Sequence, residues 1–320
     1  MMAAGSSTKK SVLIDCDPGI DDALALFLAL ASPELSVEAV TVVAGNVPVS
    51  QGVDNVLRLL ELAGRPEIPV ARGAASPLVR RLITGETIHG DNGLGGVRLP
   101  APSRGPDPRH AVDLMIELAR ARPGSLTLVA IGPLTNVALA LAKAPELAGL
   151  IAEIILMGGA LSGGNITPAA EYNIYADAEA ARRVFGSGVP ITMLELGASS
   201  QVALTREHLA RWKAASSAVA QAAAAMADHY LRVYEARGLA GGHLHDPLAV
   251  GLAIDKGFAT ASRRLHIDIE TRGEFTDGAT VADLRPGHEG RRPPNAEVPA
   301  VIDSERFLGF FIERLSLALR

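Results

Sequence analysis

Cysteine is almost absent from this chain: Cys16 stands alone among 320 residues. That excludes an internal disulfide framework and a cysteine-based zinc site, and it fits a reducing, cytoplasmic setting. Long apolar runs are missing too. The opening MMAAGSSTKK holds none long enough for a signal peptide, and no later segment reads as a membrane span. Residues 1–10 are expected to form a flexible tail. Nor is there an excess of positive charge. Lys and Arg total 30 against 35 Asp and Glu, a net charge of −5 with an isoelectric point near 5.9. Neither nucleic acid nor an anionic membrane is therefore an expected partner.

What the chain does have is core-forming material, 48% hydrophobic residues with a mean hydropathy of +0.23. That suffices for one large or two ordinary domains. Short apolar runs of strand type fall at residues 11–16 (SVLIDC), 36–44 (SVEAVTVVA), 68–71, 125–131 (SLTLVAI), 153–157 and 189–194. Helix-forming stretches alternate with them at residues 20–30 (IDDALALFLAL), 50–63, 134–144 and 177–185. Strands alternating with helices imply an α/β fold with a mostly parallel central sheet flanked by helices. No repeat of fixed period is visible, and one domain over residues 11–320 is the simpler reading. An Ala-rich helix is expected over 216–237, where Met226, Tyr230 and Tyr234 at four-residue spacing read as a packing face. Strands at 265–271 and 280–284 and a last helix at 304–319 complete the pattern. The polar stretch 285–295 is a loop within the domain.

Open α/β sheets place ligands at the carboxyl ends of their strands. The first strand delivers Asp15, Asp17, Asp21 and Asp22 to that edge in DCDPGIDDALAL. A single carboxylate at a helix start can be a cap. Four within eight residues repel one another and call for a cation or hydrogen-bond donors to offset them. Oxygen ligands without cysteine point to calcium or magnesium rather than zinc. Two rival motifs fail on spacing. A calcium-binding EF-hand loop begun at Asp15 needs Gly at its sixth position and Glu at its twelfth, where Ile20 and Leu26 stand. The haloacid-dehalogenase phosphatase pattern needs Thr or Val four residues after the first Asp, where Gly19 stands.

The segment DCDPGIDDALAL resembles the N-terminal signature of the inosine-uridine preferring nucleoside hydrolase family. The resemblance continues in order through Val43-Ala44-Gly45-Asn46, Ile88-His89-Gly90, Ile131-Gly132-Pro133-Leu134-Thr135-Asn136, Leu156-Met157-Gly158-Gly159, Glu171-Tyr172-Asn173 and His245-Asp246-Pro247. It implies calcium held by Asp17, Asp22 and Asp246 through side chains and by Ile131 through its carbonyl. It also implies that Asp17 acts as general base on a metal-held water and that Asp21 bonds the ribose hydroxyls. Asn165, Glu171 and Asn173 read as further sugar-binding residues, although Asn165 taken alone is a turn residue. Asn46 is either a further sugar contact or a helix cap. The departing base needs an acid: His245, next to Asp246, is the first candidate and His89, on a Gly-rich loop, the second. His243 is expected to be structural or exposed. The histidine pair resembles the nonspecific and pyrimidine-preferring branch of the family more than the branches that use Trp or Cys.

The implied activity is hydrolysis of the N-glycosidic bond of ribonucleosides of uridine or inosine type, within nucleoside salvage, by a cytoplasmic homodimer or homotetramer. Two other readings stay open: a metal-dependent phosphatase with Asp15 as nucleophile, and a non-catalytic ribose-binding protein. The chain departs from the family where the base would bind. Ser199-Ser200-Gln201 stands where Thr-His-Gln is common, and the spacing from Tyr234 to His245 is one residue short.

Overall fold

Alternating burial shows how the apolar runs are used. In the first strand Val12, Ile14 and Cys16 belong to one core cluster and Leu13 to a second; in the run LVAI, Val129 and Ile131 join the first, Leu128 and Ala130 the second. Side chains that alternate between two covered faces are those of a parallel sheet sandwiched by helices, which explains why such runs are apolar throughout. The structure, a computed structural model, describes residues 9–285 and 292–317.

The strands, in chain order, are β1 (Lys10–Cys16), β2 (Leu35–Val42), β3 (Val70–Arg72), β4 (Leu126–Ala130), β5 (Ile151–Met157), β6 (Ile191–Leu194), β7 (Ala203–Leu204), β8 (Gly242–His243), β9 (Ala259–Leu265), β10 (Ile267–Ile269), β11 (Thr280–Ala282) and β12 (Ala296–Ile302). Eight of them form one sheet in the order β3-β2-β1-β4-β5-β6-β12-β9. All its pairings are parallel except β12 with β9. The antiparallel pairs β10-β11 and β7-β8 lie outside it. From β1 the chain builds outward first through β2 and β3, then in the other direction from β4. The switch point therefore lies between β1 and β4, where an open α/β sheet leaves a crevice for a ligand.

One core cluster holds the helices Ile20–Leu30, Val49–Leu62, Ala218–Ala236, His245–Ile254 and Ser304–Leu317; the other holds Ala111–Ala121, Thr135–Lys143 and Ala178–Phe185. Every residue of Ile20–Leu30 is buried, as expected of a helix that is apolar all round. It packs along His245–Ile254, whose residues up to Ala253 are also buried. The first turns of this pair carry Asp21 and Asp22 on one helix and Asp246 on the other.

Most expected elements are present with ends shifted by one or two residues. The strand expected over 265–271 is instead two strands, β9 and β10, which belong to different sheets. Sequence reading missed β9 because its residues are largely exposed and include Arg263 and Arg264. It missed β12 because Pro299 interrupts the run; that proline sits at a register shift against β9, where a missing N–H is tolerated. The helices Ala111–Ala121, Arg206–Ala214 and His245–Ile254 were also unforeseen. Lys10, assigned to the tail, opens β1. Residues 1–8 of that tail, most of the 285–295 loop and the end of the expected last helix lie outside the described residues.

Candidate active site

The segment after β1 turns at Pro18-Gly19 into the helix Ile20–Leu30, and the backbone there is held by its own carboxylates. Asp22 accepts from the Asp17 N–H at 3.1 Å and from the Gly19 N–H at 2.9 Å. Asp17 Oδ2 accepts from the Asn46 N–H at 2.7 Å, and the Asn46 side-chain amide reaches Asp22 at 3.3 Å. Asn46 is therefore no helix cap; Pro48 occupies that position for Val49–Leu62. It ties two carboxylates to the end of β2.

Asp15 is not part of this group. It still lies within β1, and its Oδ1 accepts from Thr41 Oγ1 at 2.6 Å and from Asn136 Nδ2 at 2.9 Å. The expectation that β1 delivers four carboxylates to one site is corrected to three, because strand pairing holds Asp15 against β2 and the start of Thr135–Lys143. Its place is taken by Asp246. Ligand oxygens of Asp21, Asp22 and Asp246 lie within 4.8 Å of one another, at the N-termini of two packed helices whose dipoles favour negative charge. Asp17 lies beside them, its Oδ1 against Gly132, where an added Cβ would stand 2.7 Å from that oxygen.

Hydrogen bonds do not satisfy this cluster. Among the described residues Asp17 Oδ1 and Asp21 Oδ1 are buried without a partner, as is Asp15 Oδ2 outside the cluster. Burial, then the neighbouring charges of Asp22 for Asp17 and of Asp21 for Asp246, pushes both carboxyls well above the usual carboxylate range. Burial also raises Asp21 and Asp22. Buried oxygens that repel one another and lack donors fit a hard divalent cation. Asp21, assigned from sequence to the sugar, sits inside the carboxylate cluster. The Ile131 carbonyl follows β4 at the switch point and accepts from Asn173 Nδ2 at 3.0 Å, while the same amide donates to the Met157 carbonyl at 3.1 Å. Both Asn173 amide hydrogens are thereby used, leaving Oδ1 for the cleft.

Asp21, Asn46, Ile131, Glu171, Asn173, His245 and Asp246 all line one cleft of about 220 Å³. His89 and Asn165 face it too, so the structure brings the expected site residues to a single crevice, with Asp17 and Asp22 beneath its floor. Glu171 caps the short helix Tyr172–Ala176 through the N–H groups of Asn173 and Ile174 and also accepts from the Gly159 N–H at 2.9 Å. Burial pushes its carboxyl up to about 7. Asn165 does act as a turn residue, accepting from the Tyr172 N–H at 2.9 Å.

The two histidines differ in what holds them. His89 Nδ1 accepts from the Ile20 N–H at 3.0 Å, so the neutral ring carries its proton on Nε2 and loses this bond if doubly protonated. Burial moves its pKa down to about 4. His245 Nδ1 instead meets a hydroxyl, Ser199 Oγ, at 2.7 Å. Burial, then the charges of His243 and His89, takes His245 down to about 3. His243 is half-buried and packs against the His245 ring with centroids 5.5 Å apart, in keeping with the structural role expected of it.

Sequence reading missed the cleft's other wall. Tyr230 and Tyr234 were read as a packing face, as Met226 is, yet both also line the cleft together with Arg237. The Tyr230 ring stacks with His89 at 6.1 Å, and its hydroxyl lies 3.1 Å from that of Tyr234. The available signal was four-residue spacing pointing toward His245, but core side chains show the same spacing.

A buried carboxylate cluster fit for a cation, at the switch point of a doubly wound sheet and opening to a histidine-lined cleft, defines a metal-dependent α/β enzyme. The sequence model of the inosine-uridine preferring nucleoside hydrolases matches residues 12–309. The chain belongs to that family and is a ribonucleoside hydrolase, acting on N-glycosidic bonds. It is 44% identical over 309 residues to a pyrimidine-specific ribonucleoside hydrolase, RihA, of Citrobacter koseri, covering 95% of this chain and 97% of that one. Among solved structures, a purine-preferring ribonucleoside hydrolase from Gardnerella vaginalis superposes with a TM-score of 0.90 at 36% identity, covering 96% of this chain and 98% of the other. An inosine-guanosine nucleoside hydrolase gives 0.86 at 29% identity, with 98% and 100% covered. Among the described residues no helix is long and apolar enough to cross a membrane.

Proposed function

We propose that the chain hydrolyses ribonucleosides of uridine and inosine type in a calcium-dependent reaction, releasing ribose and the free base. The observation that carries this is the convergence of Asp21 and Asp246, on the floor of a cleft whose wall holds His245, with Asp22 beneath it. Asp17, Asp22, Asp246 and the Ile131 carbonyl would hold the cation, with Asp21 near enough to join them. Bound there, calcium supplies a Lewis acid that makes a water easier to deprotonate and engages the ribose diol.

The chain's own groups divide the remaining work. Asp17 Oδ2 is committed to the Asn46 N–H, so Oδ1 is the atom that takes the proton of the attacking water. Asn173 Oδ1, Glu171, Asn46 and Asn165 orient the sugar, and the Glu171 charge opposes the positive charge that develops on the ribosyl ring. His245 gives a proton to the departing base from Nε2, its ring nitrogen not engaged by Ser199. His89, with Nδ1 bound to the Ile20 N–H, positions the base as a neutral donor. That ranks His245 ahead of His89 as the acid.

The two alternatives fare worse. A phosphatase nucleophile must face its substrate, and Asp15 lies within β1, outside the carboxylate group, with Oδ1 bonded to Thr41 and Asn136. A mere ribose binder has no use for two histidines at the base end of the cleft. The relatives differ in the bases they are named for, so both uridine and inosine belong in the test. Incubation with each, and with a nucleotide, is assayed separately for reducing sugar and for phosphate. Ribose release that stops on chelation and returns with calcium is expected; phosphate release alone overturns the reading. A cytoplasmic homodimer or homotetramer working in nucleoside salvage completes the proposal, to be checked by fractionation and sedimentation.

A further inference from the structure

The element behind His245 is built with more care than a wall requires. The helix Leu196–Ser199 follows β6, and its N-cap Glu195 accepts from the Gly197 and Ala198 N–H groups at 2.9 Å and from the Leu161 N–H at 3.2 Å. Past the helix, Gln201 is clamped by the Ile302 N–H and the Ala300 carbonyl, both at 2.9 Å. Next, the Leu244 N–H donates to the Val202 carbonyl at 3.0 Å, and β7 pairs with β8. The segment 195–204 is thus fastened at both ends and runs beside the chain that enters His245. At its centre is Ser199, fully buried, with Oγ 2.7 Å from His245 Nδ1 and 3.2 Å from the Leu196 carbonyl.

We propose that Ser199 is a positioning residue for the leaving-group acid: its hydroxyl donates to the Leu196 carbonyl and accepts from His245 Nδ1–H, which leaves Nε2 as the nitrogen that takes up a proton from solvent and passes it to the departing base. The argument is one of donor and acceptor bookkeeping. A carbonyl oxygen can only accept, so the hydroxyl proton has a place that is not the imidazole. Oγ is then an acceptor for Nδ1–H in both the neutral and the protonated ring. His245 is thereby held through Nδ1 with Nε2 left for the departing base, whereas His89 is held as an acceptor of the Ile20 N–H. This proposal rests on the reading of His245 as the acid.

The test compares two leaving groups. S199A, S199T, H245A and the unaltered protein are assayed in full-length form with uridine, whose base departs with a proton, and with 4-nitrophenyl ribofuranoside, whose phenolate leaves without one. For S199A a loss of about 10–100-fold in kcat on uridine is expected, the size typical of groups that orient a catalytic side chain. The nitrophenyl riboside should be turned over nearly as before, and S199T should recover uridine hydrolysis. Equal losses on both substrates mean a structural role and overturn the proposal. So does unchanged uridine hydrolysis in S199A while H245A remains selectively impaired. If H245A itself shows no selective loss, the acid assignment fails first and this proposal with it.

Discussion

Asp15 and Asp17 are two positions apart in sequence and are separated in function by where β1 ends. Asp15, inside the strand, spends Oδ1 on Thr41 and Asn136. Asp17, beyond the strand end, keeps Oδ1 without a partner beside the carboxylate cluster. The density of carboxylates in DCDPGIDD was legible, and so was a buried acidic group that could hold a cation. The direction of each side chain was not, because the partners of Asp15 lie 26 and 121 residues away. The two variants should therefore fail differently. Asp15→Ala leaves the buried Asn136 amide without its acceptor, a loss of about 1–3 kcal/mol, and Thr41 Oγ1 with only the Ile14 carbonyl at 3.5 Å, so its melting temperature should fall while folded protein still releases ribose. Asp17→Ala also orphans one donor, the Asn46 N–H, but relieves the repulsion among the buried carboxylates, so it should melt closer to the unaltered protein than Asp15→Ala yet lose about 10²-fold or more in kcat, as removal of a general base does. Melting curves and ribose release measured on the same samples decide this. A stable but inactive Asp15→Ala would return Asp15 to the chemistry.

At the scale of elements, legibility followed burial. Strands covered on both faces declare themselves as continuous apolar runs, which is why β1, β2, β4, β5 and β6 were found. An edge strand such as β9 has no such pattern, and the helix His245–Ile254 was hidden because Asp246 and Pro247 in its first turn read as motif rather than as structure. The packing of His245–Ile254 on Ile20–Leu30 assembles the cluster, and no local pattern announces a helix pair. The junction between Ile20–Leu30 and the His89 loop is tight: a Cβ at Gly19 would stand 2.7 Å from His89 Nδ1 and 2.9 Å from Asn46 Nδ2. Both neighbours are held, so neither can yield without giving up a bond to Ile20 or Asp22. Gly19→Ala should thus displace the His89 ring and Asn46 together, and an ångström-scale displacement costs about 10²-fold in kcat/KM. Unchanged steady-state kinetics for uridine in this variant would show that the junction relaxes freely.

For the whole molecule, the proposed cation site would tie the beginning of the domain to its last third. Asp17 and Asp22 follow the first strand, Ile131 follows β4, and Asp246 opens a helix that packs back onto the first. An ion bound there holds the folded chain and has little affinity for the unfolded one, where these oxygens are far apart. Binding then adds to stability by mass action, about 2.7 kcal/mol at a free ion concentration of 100 times the dissociation constant. For 320 residues, with an unfolding entropy near 2.1 cal/mol/K per residue, that corresponds to a rise of about 4 °C in Tm. Calcium added to chelator-treated protein should produce this shift and restore ribose release over the same concentration range. Asp246→Ala should shift much less, because it removes the ligand that closes the long sequence loop. The two readouts separate a structural ion from one at the reaction centre. If calcium raised Tm in Asp246→Ala as much as in the unaltered chain, the stabilising ion would lie elsewhere, and the convergence of two helix N-termini would need another explanation.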